Sequence, residues 1–196
     1  MKVYLDGQEI ALPGGADAPS VLSAVRGQVA KDGRVITGLR VDDVEMDDEA
    51  FLNLTGGMAA HFVSQPVRDL VRESLDDALG YAPRLTKGLE EIALHFDRNE
   101  LATAESGLAD AAEGLDWLLR VFHHCSALLA VGGEADDAGL AKLKESLAAA
   151  VERLGSLHEE RLYPQMALAI RQDLLPKVNE LAAHVRSLRS LVTSAQ

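Results

Sequence analysis

Cysteine is nearly absent from this chain. The single Cys125 excludes an internal disulfide framework and suits a reducing compartment, so a cytoplasmic location is expected. Aromatic residues are only 4%, so a core must be built from Leu, Val and Ala, the composition of packed helices. No apolar run reaches the roughly 18 residues that a membrane span needs. The first ten residues, "MKVYLDGQEI", alternate in polarity instead of forming the apolar segment of a secretion signal. Positive charge is also scarce: 19 Lys and Arg stand against 31 Asp and Glu, a net charge of −12. A nucleic-acid partner is therefore not expected, because it requires a basic face to displace counterions. Gly-rich phosphate loops, G-x-S-x-G and Cys-x-x-Cys are all missing, so neither catalytic residues nor a cofactor are expected.

What is present is a globular composition, 47% apolar over 196 residues, enough for one medium domain or two small ones. The charge is uneven. Residues 1–64 carry five basic and ten acidic side chains, residues 65–160 nine and nineteen, and residues 161–196 five and two. The last, positive segment is expected to be drawn to the acidic helices before it.

The opening third reads as strands around one helix. "KVYLD" and "QEIAL" alternate on either side of Asp6-Gly7, the strongest short hairpin signal, since a type I′ turn needs positive φ. "PGGADAP" is a loop. Val21, Leu22, Val25 and Val29 have helical spacing, with Asp17 or Ser20 to cap the helix and Gly33 to close it. "RVITGLRV" returns to strand, "DDVEM" supplies a turn and short strand, "DDEAFLNL" a helical turn, and "MAAHFVS" a last strand. The acidic cluster from Asp42 to Glu49 lacks calcium-loop spacing and reads as a charged turn.

On "MKVYLDGQEIALP", "SVLSAVRG" and "RVITGLRVDDVEM", residues 1–65 resemble the ubiquitin-like β-grasp sulfur carriers of thiamine and molybdopterin synthesis. In those carriers a reactive Gly-Gly ends the chain after the last strand. Here Gly56-Gly57 precedes the last strand and the chain runs on, so the resemblance implies the fold without the carrier chemistry. The glycines are read as the turn that feeds the strand.

From Pro66 the spacing is helical. Val67, Leu70, Val71, Leu75, Ala78, Ala82, Leu85, Leu89, Ile92 and Phe96 trace one face, with a kink or break expected near Gly80–Pro83. In a second helix Leu101, Leu108, Leu115, Phe122 and Leu129 recur every seven residues, with Ala104, Ala111, Leu118 and Cys125 between them. "VGGEADDAG" is a loop. A third helix, about 140–158, points Leu140, Leu143, Leu147, Val151 and Leu154 inward. A fourth, from about Glu160, carries a stripe from Leu162 to Val192, with Pro164 in its first turn and Pro176 expected to kink it. The fold class expected is α+β: a β-grasp domain over 1–65, then an antiparallel bundle of about four long, partly kinked helices over 66–196.

Two Glu-x-x-x-His pairs, Glu91/His95 and Glu180/His184, are the metal candidates, but an up-down bundle sets them about 30 Å apart. No metal site is expected, and His123 and His124 are read as solvated. One feature stands out. The second helix carries a second stripe of Gly107, Gly114, Trp117, Val121, His124 and Leu128, including the only tryptophan. A helix apolar on two faces packs on further elements or binds a partner. Gly114, Trp117, Val121, His124 and Leu128 are the candidate partner-binding residues. "DRNELATAESGLADAAEGLDWLL" and "LAIRQDLLPKVNELAAHV" are similar to the flagellin export chaperones, and the whole layout resembles bacterial β-grasp-plus-bundle proteins. The expected function is a non-enzymatic adaptor or chaperone-like module with a protein partner, no membrane, and self-association left open. The alternatives are retained sulfur or conjugation chemistry, or a metal-binding bundle enzyme.

Overall fold

The computed structural model describes residues 1–12, 16–54, 56–130 and 138–194. Residues 13–15 of "PGGADAP" and 131–137 of "VGGEADDAG" lie outside them, while Ala18 and Pro19, read as loop, begin a helix. The chain forms two compact units, Met1–Leu70 and Val71–Gln196.

The first unit is a five-stranded sheet with two helices. Strands β1 (Lys2–Leu5) and β2 (Gln8–Ile10) pair antiparallel through the Asp6-Gly7 turn, where both residues have positive φ, +50° and +81°. Helix α1 (Ala18–Lys31) starts at Asp17, whose carboxylate accepts the Ser20 N–H at 3.0 Å. Asp17 thus fills the capping role that the sequence left open between two residues. Next come β3 (Arg34–Val41), β4 (Val44–Glu45), the short helix α2 (Asp48–Leu52) and β5 (Ala59–Pro66). The strand order is β2-β1-β5-β3-β4, with β1 and β5 parallel and the other pairs antiparallel. Val21, Leu22, Val25 and Val29 of α1 lie in one core with Val3, Leu39, Val41, Ala60 and Phe62, and Phe51 meets Phe62 edge to face at 5.6 Å. The Tyr4–His61 stack and exposed Val63 belong to the sheet's other side.

The acidic turn has a structural role. Asp42 accepts the backbone N–H groups of Met58 (3.1 Å) and Ala59 (2.9 Å), fixing the start of β5, while Asp47 caps α2 and Asp48 pairs with Arg26. Gly56-Gly57 lies just ahead of β5. Gly57 has φ +152°, and a Cβ there would meet a Val41 methyl at 2.8 Å, so this approach needs glycine.

The second unit is helical. Helix α3 (Val67–Asp97) is followed by α4 (Leu101–Ala130), α5 (Ala138–Glu159), α6 (Tyr163–Ala169), a π-helical turn Ile170–Leu174, and α7 (Leu175–Ser194). Cross-helix pairs give the arrangement. Tyr81 meets Trp117 (α3–α4), His158 meets Glu105 and Lys144 meets His123 (α5–α4), and Arg189 meets Asp76 (α7–α3). A second contact on each pair, Ile92 beside Gly107 and Thr86 with Asn179, shows the partner number falling as the residue number rises, so these neighbours run antiparallel. Arg171–Asp97 and Arg189–Asp76 are ion pairs between the positive last segment and α3, although Arg153–Asp173 runs the other way.

Of the stripe expected from Leu162 to Val192, Leu162 is half-buried ahead of α6, and Met166, Ile170, Leu174, Val178, Leu181, Val185, Leu188 and Val192 are buried. Three readings need correction. The break expected near Gly80–Pro83 does not occur: helix α3 runs on through Pro83, with Leu75 and Ala78 buried before it and Leu85 and Leu89 after it. Val151 is 48% exposed, and Ala150 takes the inward place, since a helix following Leu143 and Leu147 at 3.6 residues per turn reaches 150 before 154. Leu101 and Leu108 are only half-buried although Ala104 between them is fully buried, and every seam position is buried from Ala111 onward. At Pro176, where a kink is expected, the helix changes its hydrogen-bond pattern. The π turn stands directly before it, with the Leu175 N–H reaching back five residues to the Ile170 carbonyl, a wider turn of the kind that accompanies helix irregularities.

Candidate functional site

The second stripe of α4 divides in two. Its first half seats α3. A Cβ on Gly107 would approach Ile92 Cγ1 to 2.9 Å, and one on Gly114 would come within 1.8 Å of Tyr81 Oη. These glycines let the two helices close together. From Trp117 onward the cover ends: Trp117 is 37% exposed, Val121 half-buried, His124 exposed and Leu128 38% exposed.

Tyr81 is the residue that the sequence did not single out. Its ring meets Trp117 edge to face, centroids 5.3 Å apart at 80°, and its hydroxyl lies over Gly114. The Arg84 guanidinium sits 5.3 Å from the Tyr81 ring centre, a cation–π contact. Around this pair is a hollow of ≈ 540 Å³ between α3 and α4, rimmed by Asp77, Asp110 and Glu113. A second hollow, ≈ 350 Å³, shares Tyr81, Arg84 and Asp110 and continues toward Gly107 and His95. The signal that could have found Tyr81 was the pair Gly107 and Gly114, seven residues apart on one helix face, which marks close approach by a neighbour.

Between α4 and α5 lies a separate, almost wholly apolar cleft of ≈ 470 Å³. Leu89, Leu115 and Leu174 form its floor, Val151 its edge, and the His158–Glu105 pair at 3.1 Å one end. Half-buried Leu108 lines it too, which is why that seam position is not closed.

The other candidate side chains are engaged structurally. His95 pairs with Glu100, Glu91 with Lys87, and His184 lies against Phe122 at 6.3 Å. His123 contacts Lys144 at 3.1 Å and its neighbour His124. Among the described residues, no group of three or more His, Cys, Asp or Glu could hold a metal ion, and no helix is long and apolar enough to cross a membrane. Cys125 is buried in α4, and that burial pushes its thiol up to about 11.

Sheet and helices together define an α+β protein in which the helical unit carries both the aromatic hollow and the apolar cleft. Residues 73–184 match the model of a domain of unknown function, DUF8042. That is more than half of the chain, which belongs to this family. The match falls within the helical part and includes Tyr81, Gly114 and Trp117. No curated protein and no solved structure matches the chain.

Proposed function

We propose that this protein is a non-enzymatic binding module, an adaptor or chaperone-like protein whose helical unit takes a protein partner at the α3–α4 hollow. The observation that carries the reading is Trp117, part-exposed yet held edge-on by Tyr81 over a wall opened by Gly114. Large, rigid aromatics set in a hollow are the side chains on which interface energy concentrates. Holding the ring in place before binding reduces the ordering cost of association. The sheet unit is read as a β-grasp domain and a second docking surface. Supporting this are the strand order β2-β1-β5-β3-β4, the parallel β1–β5 pair, and one helix between β2 and β3. The position of Gly56-Gly57 ahead of β5 gives no support to sulfur-carrier chemistry.

The test is affinity capture from the native cytoplasm with wild type and Trp117→Ala side by side, both checked for helicity by circular dichroism. A partner retained by wild type and lost by the folded variant is the expected result. Partners captured equally by both would overturn the reading.

A further inference from the structure

We propose that the α3–α4 hollow recognises a basic segment of its partner, an extended stretch presenting arginine or lysine, with one cationic side chain seated against Trp117. This inference rests on the docking reading above and adds the chemistry of the occupant.

The first argument is local charge. Three carboxylates, Asp77, Asp110 and Glu113, rim the hollow against one guanidinium, Arg84. None of the three has an ion-pair partner among the described residues. Some acidic side chains elsewhere in the helical unit are neutralised, Asp76 by Arg189, Asp97 by Arg171 and Asp173 by Arg153, whereas these three gather around one hollow. The rim thus keeps a surplus of negative charge that an incoming cation would neutralise.

The second argument is the aromatic pair. Tyr81 already carries the Arg84 guanidinium at 5.3 Å, so one ring of the pair holds a cation in the free protein. Trp117 lies nearly perpendicular to that ring and is part-exposed, which leaves indole surface accessible. Indole is the strongest of the side-chain cation–π acceptors, and nearby carboxylates add to its attraction. An anionic segment would face three carboxylates, and an apolar one would leave them beside it uncompensated.

The third argument is the wider field. The 65–160 stretch carries nine basic and nineteen acidic side chains, a potential that speeds encounter with a cationic partner and that salt weakens.

Trp117 is the only tryptophan, so its emission reports the hollow directly. The full-length protein is titrated with three tryptophan- and tyrosine-free twelve-residue peptides, Arg/Ser, Glu/Ser and Gln/Ser, and with spermidine. The expected result is a saturable change in Trp117 emission with Arg/Ser alone, at least tenfold weaker in 0.5 M than in 0.05 M salt. Asp110→Asn/Glu113→Gln should weaken it at least fivefold. Asp43→Asn/Glu45→Gln, an equal charge change in the sheet unit, should leave it within twofold. Equal loss with both double variants would reduce the effect to net charge and overturn the proposal. So would equal response to Gln/Ser or to spermidine. If capture depends on Trp117 but is insensitive to salt and to Asp110→Asn/Glu113→Gln, the docking reading stands and the basic occupant falls. If capture never depends on Trp117, the docking reading itself falls.

Discussion

Adding one methyl group at Gly114 should separate the two roles of that position. In an open helix position, Gly→Ala stabilises by about 0.8–1.0 kcal/mol, because alanine has less backbone freedom to lose. Gly80 in α3 is such a position, with nothing within 4 Å of a Cβ built there. At Gly114 the same methyl would lie 1.8 Å from Tyr81 Oη and 2.8 Å from Cζ, so the ring has to swing away. Its edge-to-face contact with Trp117 is then lost, about 0.5–1.5 kcal/mol, together with the Arg84 cation–π contact, about 0.5–1 kcal/mol at an exposed site. Offsetting the helix gain, Gly114→Ala should range from neutral to about 1.5 kcal/mol destabilised. It should fall about 1–2.5 kcal/mol below Gly80→Ala.

Urea titrations followed by Trp117 emission read this difference within the helical unit, because the sheet unit has no tryptophan. The folded Gly114→Ala protein should also emit further to the red, having lost its contact with the Tyr81 ring. If both variants are stabilised equally and the Gly114→Ala emission maximum is unchanged, Tyr81 does not lie over Gly114 and the account of the hollow is wrong.

Leu181→Ala, which removes a fully buried side chain from α7, should destabilise the helical unit by about 2–5 kcal/mol in the same assay; a loss under 1 kcal/mol would contradict its core position. Burial raises the Cys125 thiol to about 11, so a disulfide-exchange reagent at pH 8 should label it only after denaturant is added. The Asp42 carboxyl is held below its ordinary value by the Met58 and Ala59 N–H groups. Asp6 is also lowered: burial opposes this, but hydrogen bonds from Ser64 and the Arg34 charge outweigh it. Such groups stabilise the folded state above their unfolded pKa of about 3.9, and that contribution is lost as pH falls through the lower folded values. Sheet stability by hydrogen exchange should therefore hold from pH 7 to 5 and decline below about 4, and carboxyl NMR should place Asp6 and Asp42 below the exposed aspartates; a decline already complete at pH 5 would refute this.

What the sequence made legible was what is local. Asp6-Gly7 needs only its own φ angles to turn, and Asp17 needs only the first turn of α1 to cap it. The Met166–Val192 stripe is readable because a single face stays inward through a π turn and a proline. What was hidden depends on a second element. Tyr81 lies beside the inward stripe of α3 and reads as a surface position until Gly114 of α4 is seen beneath it. Val151 and Ala150 are adjacent, and both steps of three and four residues are helical after Leu147; in the fold Ala150 is buried while Val151 stands at the edge of the α4–α5 cleft. Pro83 reads as a breaker because proline costs a helix interior about 3 kcal/mol, yet the buried residues on both sides offset that cost.

The two halves of the α4 stripe are one design seen at two depths. Where a side chain is missing, at Gly107 and Gly114, α3 moves in until Ile92 and Tyr81 fill the space. That approach sets where the Tyr81 ring can lie, and the ring is then the wall against which Trp117 rests. An isolated surface tryptophan would sample several rotamers, and a ligand would have to select one at an entropic cost of about 0.5–1.5 kcal/mol per side chain. Here the selection is made by packing before any ligand arrives, through a chain of contacts that begins at a glycine. Tyr81→Phe keeps the ring and should preserve the hollow, while Tyr81→Ala removes the brace and should weaken binding even though Trp117 itself is untouched. The distinction between those two variants separates a docking site built into the helix contact from an aromatic residue that merely happens to be exposed.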